Sequence, residues 1–266
     1  MGAVHAEGIV SSDIVGYRTD GINDAKLYMR NLSFVTIGGH DLSIKTDVTF
    51  TNPTGGIDAD CADRIRIWNP TLGGYINYFY YVEDGEGYEW HEENWLDEDE
   101  DPATAAQYQG KIPAYQGFWY QPYVGTGAAK SMTVSGAVDK DVYDPFAITD
   151  GALHMFANPY PVETRIKDAT SLIVANPTGG VDADTADKIR VWDSELGGYI
   201  NYFYYIEDGE GYEWHEENWL DEDEDPATAA KYQGKIPAGH AFWYQTYVPS
   251  GEPKKTNKSI QFVSPF

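Results

Sequence analysis

Ile65-Arg66-Ile67-Trp68 alternates apolar and polar side chains, and a turn sequence, Asn69-Pro70-Thr71-Leu72-Gly73-Gly74, follows at once. Tyr75 to Val82 is then aromatic or β-branched apart from Asn77. A period of two between turn residues predicts strands. Glu83-Asp84-Gly85-Glu86-Gly87 supplies hairpin chemistry, because glycine reaches positive φ cheaply, and Tyr88-Glu89-Trp90 is the expected returning strand. Asp101 as N-cap, Pro102 at the first helical position and Gly110 at the C-terminal end bracket one short helix around residues 103–108. Phe118 to Val124 and Ser131 to Ser135 read as the closing strands. Strands spaced by roughly 8–12 residues with turns between them predict an all-β sandwich or barrel carrying one short helix.

This pattern occurs twice. Asn52 to Val124 aligns without gaps with Asn176 to Val248 at an offset of 124, with 13 mismatches over 73 positions. Most changes conserve volume or charge, as in Ile57/Val181, Arg64/Lys188 and Ile67/Val191. Weaker likeness extends outward, from Leu27-Tyr28-Met29 to Leu153-His154-Met155 and from Ser131 to Ser135 to Ser259 to Val263. The expected organisation is two tandem β modules, residues 8–140 and 141–266, each long enough to bury a core. Residues 1–7 read as a signal-peptide remnant or an added start, since Val4-His5-Ala6 has the small-residue pattern of a cleavage site.

Several of these elements together resemble a loose group of exported, two-module bacterial proteins. They are Ser11 to Tyr17, the Asp-x-Ile-x-Ile/Val-Trp strand (Asp63 to Trp68; Asp187 to Trp192), Lys-Ile-Pro-Ala followed by Phe-Trp-Tyr (Lys111 to Tyr120; Lys235 to Tyr244), and Asn158 to Val162. The resemblance covers most of the chain and implies export and a duplicated all-β architecture. It transfers no activity and no catalytic residue. Tyr115-Gln116 departs from the group's glycine-containing loop, which Gly239 keeps in the second module.

Charge alters the picture because it is local. The chain carries 18 basic and 43 acidic residues, and Glu83 to Asp101 with its copy Glu207 to Asp225 holds about 22 of the acids and no Lys or Arg. The net charge of −25 argues against nucleic-acid binding. No apolar run approaches the roughly 18 residues of a membrane span. Asp97, Asp99 and Asp101, with Asp221, Asp223 and Asp225, place carboxylates at alternate positions, a donor set suited to calcium. Pro102 and Tyr108 stand where an EF-hand loop needs Gly and Glu, so a different calcium loop, a solvated face or a contact for a basic partner are the competing readings. No cofactor is required by any motif. Asp58, Asp60 and Asp63 and their copies Asp182, Asp184 and Asp187 read as capping and turn residues.

Aromatics make up 15% of the chain, and this fraction raises the question of recognition. Tyr78, Tyr80, Trp90 and Trp95, with Tyr202, Tyr204, Trp214 and Trp219, are the candidate ligand platform, either stacking on sugars or forming a protein interface. Trp68, Phe118 and Trp119 read as core on periodicity. Cys61 is matched by Thr185 and has no neighbouring His in sequence, so it reads as a turn residue. Paired carboxylates permit glycoside hydrolysis by residue type, but no zinc-protease, Walker, dinucleotide or nucleophile-elbow pattern is present. The expectation is a non-catalytic exported protein at the cell surface or outside the cell. It would self-assemble into an oligomer or filament, or adhere, with the apolar C-terminal strand Ile260 to Val263 pairing in cis or with a neighbour. The alternative is a bivalent binder of extracellular glycans. Asn31-Leu32-Ser33 and Asn257-Lys258-Ser259 match the glycosylation sequon.

Overall fold

A computed structural model of the chain describes residues 15–23, 26–36, 41–70, 72–82, 89–92, 110–113, 115–124, 127–206, 213–216, 234–251, 253–255 and 257–266. The first half contributes β1 (Val15–Ile22), β2 (Tyr28–Arg30), β3 (Asp41–Ser43), β4 (Val48–Thr51), β5 (Arg64–Asn69), β6 (Gly74–Tyr81), β7 (Glu89–Glu92), β8 (Lys111–Pro113), β9 (Phe118–Gln121) and β10 (Lys130–Ala137). The second contributes β11 (Phe146–Ile148), β12 (Leu153–Ala157), β13 (Thr164–Arg165), β14 (Leu172–Ala175), β15 (Lys188–Asp193), β16 (Gly198–Tyr205), β17 (Glu213–Glu216), β18 (Lys235–Ile236), β19 (Ala241–Gln245) and β20 (Lys258–Phe262). All strand pairs are antiparallel, in the orders β1-β10-β4, β2-β9-β5-β6-β7 and β3-β8, then β11-β20-β14, β12-β19-β15-β16-β17 and β13-β18. Adding ten to each strand number of the first half gives the sheet orders of the second.

The fold is all-β, as the alternation predicts. Among the described residues the only helical turns are the 3₁₀ turns Ala59–Cys61 and Ala183–Thr185. The helix expected over 103–108 lies outside the described residues. At the β5–β6 turn, Asn69 Oδ1 accepts the Leu72 N–H at 3.2 Å, and Gly73 takes φ +63°, which an L side chain resists. The strand at the C-terminus, β20, is the central strand of its sheet, held between β11 and β14. Its pairing is therefore in cis, and it offers no free edge to a neighbour. The sequon residue Asn31 is fully buried, with Nδ2 donating to the Asn158 carbonyl at 2.6 Å, so it is no glycan acceptor in the folded chain.

In each half the five-stranded sheet uses both faces. One face of the first joins Ile65, Ile67, Ile76, Tyr78, Phe118 and Tyr120 to Met132 and Val134 of the three-stranded sheet and to Leu42 and Ile112 of the β3-β8 pair. The second half repeats this with Ile189, Val191, Ile200, Tyr202, Phe242 and Tyr244. The opposite faces meet each other. Met29, Trp119, Met155, Ala157, Ala241 and Trp243 form a buried layer between the halves, flanked by Trp68, Tyr75, Trp192 and Tyr199.

This layer has an approximate two-fold pattern. Trp68 meets Trp243 edge to face at 5.6 Å, and Trp192 meets Trp119 in the same way at 5.4 Å. Such contacts contribute roughly 0.5–1.5 kcal/mol each beyond the area they bury. Trp68 Nε1 donates to the Leu153 carbonyl at 3.1 Å, and Trp192 Nε1 to the Leu27 carbonyl at 2.6 Å. The Asn31 N–H donates to the Gly239 carbonyl at 3.0 Å, and the Ala157 N–H to the Tyr115 carbonyl at 2.9 Å. Each half thus covers the outer edge of the other's short strand, β2 or β12, and joins the two sheets by backbone as well as side chains.

Candidate functional site

The residues expected to form a ligand platform are mostly internal. Tyr78 and Tyr202 are 2% and 1% exposed, and their hydroxyls accept the Gly110 and Gly234 N–H at 3.1 and 3.3 Å. Trp90 and Trp214 are also buried. The alternation of β6 turns Tyr78 inward and places Trp90, opposite Tyr80 on β7, against the same core. These four residues are core, which corrects their reading as an exposed stacking surface. Tyr80 and Tyr204 are half-buried at the rim. Trp95, Trp219 and the six calcium candidates Asp97, Asp99, Asp101, Asp221, Asp223 and Asp225 lie outside the described residues. Among the described residues no group of three or more metal-ligating side chains converges.

One cleft remains beside these aromatics. It encloses about 290 Å³ and is lined by Phe50, Tyr80 and Trp90, with Lys45, Thr46, Thr49 and Glu89 among its polar groups. Phe50 lies 4.7 Å from Trp90 and stacks on Tyr120 at 5.5 Å between ring centroids. The second half differs at the matching positions, with Ile173 and Val174 in place of Thr49 and Phe50. The Glu89 and Glu213 carboxylates contact His91 and His215 alike, at 2.9 and 2.8 Å, and Lys167 Nζ lies 3.9 Å from Glu213. The cleft thus combines positions common to both halves, such as Tyr80, Glu89 and Trp90, with Thr49 and Phe50, where the halves differ.

Reactive groups elsewhere have structural partners. Asp63 is completely buried and accepts from Lys130 Nζ at 2.8 Å, Tyr120 OH at 2.7 Å, the Tyr123 N–H at 2.7 Å and the Thr54 N–H at 3.1 Å. Lys130 also reaches Thr54 Oγ1 at 2.8 Å and the Tyr123 carbonyl at 3.0 Å. Asp187, Lys258, Tyr244 and Thr178 repeat the network, and Lys258 also contacts Asp150 at 2.6 Å. Burial, reinforced by the Asp187 carboxylate, drives the Tyr244 hydroxyl well above its ordinary pKa. Burial alone would raise the Asp150 carboxyl, but hydrogen bonds from Lys258 and the Lys255 N–H bring it below its ordinary value. Asp63 and Asp187, which the sequence suggests as capping or turn residues, instead accept from groups far along the chain and anchor the buried networks, whereas Asp58 and Asp182 are the turn caps. The two buried lysines were not anticipated, and their only sequence signal is that Lys130 and Lys258 each precede the closing-strand motif.

Asp58 and Asp182 cap their 3₁₀ turns, accepting the Asp60 and Asp184 N–H at 2.9 and 3.0 Å. Cys61 Sγ donates to the Asp58 carbonyl at 3.4 Å, and Thr185 Oγ1 does the same to Asp182 at 3.1 Å. The thiol therefore takes the place of a turn hydroxyl. His91 contacts Glu89 and stacks on Tyr81 at 4.5 Å, and His215 repeats this on Tyr205 at 4.6 Å. Glu92, beside His91, has its carboxyl pKa raised by burial.

Set against this geometry, comparison with models of known protein families, with curated proteins and with solved structures finds no match.

Proposed function

We propose that this is a non-catalytic, exported surface protein that works by self-assembly or adhesion. The observation that carries the reading is the use of the aromatic repeat. Its rings fill two cores and the layer joining the halves, so the repeat contributes a rigid scaffold. Contacts are then left to strand edges and to the acidic segments of the sequence. The buried acids, lysines and tyrosines bond to one another in two networks closed to solvent, an arrangement that does not present them to a substrate. Export rests on the sequence resemblance and the small-residue pattern near the start. Light-scattering mass across a wide concentration series, with calcium and with a chelator, is the test. Concentration-dependent assembly supports the reading, and a strict monomer in both buffers refutes self-assembly.

A second reading, glycan binding, is favoured by the cleft at Phe50, Tyr80 and Trp90, where aromatic edges meet Lys45, Glu89 and two threonines. Because the second half substitutes Val174 and Ile173, this reading predicts one site instead of two. A glycan array on the wild-type protein tests it. Binding lost in Phe50→Val would support it, and an array without hits would overturn it.

A further inference from the structure

We propose that β1 is a self-recognition edge, on which two copies of this chain pair antiparallel about a two-fold axis through Thr19. The proposal rests on the assembly reading and names its contact.

β1 is an edge strand, with β10 on one side and, among the described residues, no strand on the other. It runs for 8 residues without proline or lysine, and Val15 and Tyr17 are 61% and 76% exposed. Its counterpart β11 has only 3 residues and follows directly on Pro145. Short length and an adjacent proline are ordinary protections of a sheet edge, and β1 has neither.

The backbone shows which groups are on offer. Val35 and Ala137 exchange both hydrogen bonds, at 3.0 and 2.8 Å. The peptide groups of Ala137 therefore face away from β1. Val15 lies opposite Ala137, so its own N–H and C=O point outward, and those of Tyr17, Thr19 and Gly21 do likewise.

Facing residues of two antiparallel strands must both turn their peptide groups in or both turn them out, so only registers that match odd with odd are allowed. Centring the pair on Arg18 sets Arg18 against Arg18 of the second copy. Centring it on Asp20 sets two aspartates together. Centring it on Thr19 places Arg18 opposite Asp20 of the second copy and Tyr17 opposite Gly21 of the second copy. Like charges directly opposite each other destabilise a strand pair, while opposite charges stabilise it. Centres elsewhere on the strand set neither charge against the other, so the Thr19 register is the one that adds a cross-copy contact to the Arg18–Asp20 pair already made within each chain at 3.0 Å. It joins the outward groups of Tyr17, Thr19 and Gly21 in three hydrogen-bonded pairs. A Cβ placed on Gly21 would meet nothing within 4 Å, so the exposed Tyr17 ring has open space to lie over that glycine of the second copy. The contact is isologous and closes at two chains.

The test is sedimentation velocity on the wild type, Thr19→Pro and Tyr17→Lys, with circular dichroism on each variant. Thr19→Pro removes an outward N–H and leaves the β10 ladder intact. It is expected to raise the dimer dissociation constant at least about tenfold, and Tyr17→Lys gives the same direction through a solvent-facing side chain. Thr19→Cys in a Cys61→Thr background is expected to form a disulfide-linked dimer under mild oxidation, because a hydrogen-bonded antiparallel pair sets Cα atoms about 5.5 Å apart. Assembly that survives both edge variants, without the cross-link, overturns the β1 contact and leaves the assembly reading standing. A wild type that stays monomeric at every concentration overturns both.

Discussion

Lys130→Met removes the cation from a completely enclosed ion pair. The Lys130 and Asp63 side chains are 1% and 0% exposed, with Nζ 2.8 Å from Oδ1. Methionine fills nearly the same volume, so the cost is electrostatic and little of it comes from a cavity. Leaving a buried charge without its partner typically costs about 3–5 kcal/mol. Asp63 would keep three neutral donors, Tyr120 OH and the N–H groups of Tyr123 and Thr54, which places the loss toward the lower end of that range. At about 2.1 cal/mol/K of unfolding entropy per residue, a loss of about 3 kcal/mol lowers the Tm by about 5 °C if all 266 residues unfold together. The shift doubles to about 11 °C if one half unfolds alone. The tryptophan layer and the crossing backbone bonds predict one transition and the smaller shift. Calorimetry with urea unfolding followed by tryptophan fluorescence measures both quantities. Adding Asp63→Asn to Lys130→Met should recover part of the loss, since the pair is then neutral. A single-variant loss below about 1 kcal/mol, or a double variant no better than the single, would refute this account of the network.

Three further outcomes follow from individual contacts. Burial, together with the Arg30 and Arg18 cations, lowers the His240 pKa to about 3. The unfolded chain therefore takes up a proton that the folded chain refuses, so stability falls as pH drops from about 6.5 toward 3; His240→Gln, the residue at the matching position 116, should flatten that slope in urea titrations at stepped pH. At Gly117 an added Cβ would lie 2.4 Å from the Ala241 Cβ and 2.8 Å from the Met155 Cγ, so Gly117→Ala should cost about 1–3 kcal/mol by overpacking, with partial rescue by Ala241→Gly, in thermal melts. Cys61→Thr should change stability by less than about 0.5 kcal/mol in the same melts, because Thr185 already makes the equivalent turn bond.

The strands over Ile65 to Trp68 and Tyr75 to Val82 were legible because alternation is a local signal, and β5 and β6 fall within a residue or so of it. The destination of the aromatics was not. Both faces of β6 are aromatic, so periodicity separates Tyr78 from Phe79 without saying which face is buried, and here both are. Periodicity reads Trp68 and Trp119 as core, and Trp119 is buried, but the cluster it belongs to, with Trp68 packed against it, is the layer between the halves. That location depends on how two sheets face each other, which no local window contains. Lys130 was invisible for a similar reason. A lysine is ordinarily a surface residue, and its burial becomes intelligible only when Asp63 and Thr54 are brought to it from far along the chain.

The halves share sheet order and most of their interior, so the positions where they differ are informative about function. The two ends of the joining layer occupy matching positions with different chemistry. At one end Arg18 donates to Asp20 at 3.0 Å and to the Asn31 carbonyl at 2.7 Å, with Arg30 and His240 beside it. Gly239 is obligatory there, since it has φ +79° and its Cβ would strike the Arg18 guanidinium. At the other end Tyr115 takes the place of Gly239 and packs on Phe146 at 4.5 Å and Tyr143 at 6.0 Å. The loop difference visible in the sequence is thus a choice between a charged and an aromatic closure. Each closure is coupled to its own edge strand, because Arg18 belongs to β1 and Phe146 to β11. The aromatic closure accompanies a short edge next to a proline, and the charged closure accompanies an edge of eight residues paired along β10. A repeat selected for stability alone gains nothing from this asymmetry. On the β1 proposal, an edge kept long on one half and shortened on the other would leave one pairing strand among the described residues, and pairing through it would close at two chains where two equivalent edges would propagate a filament.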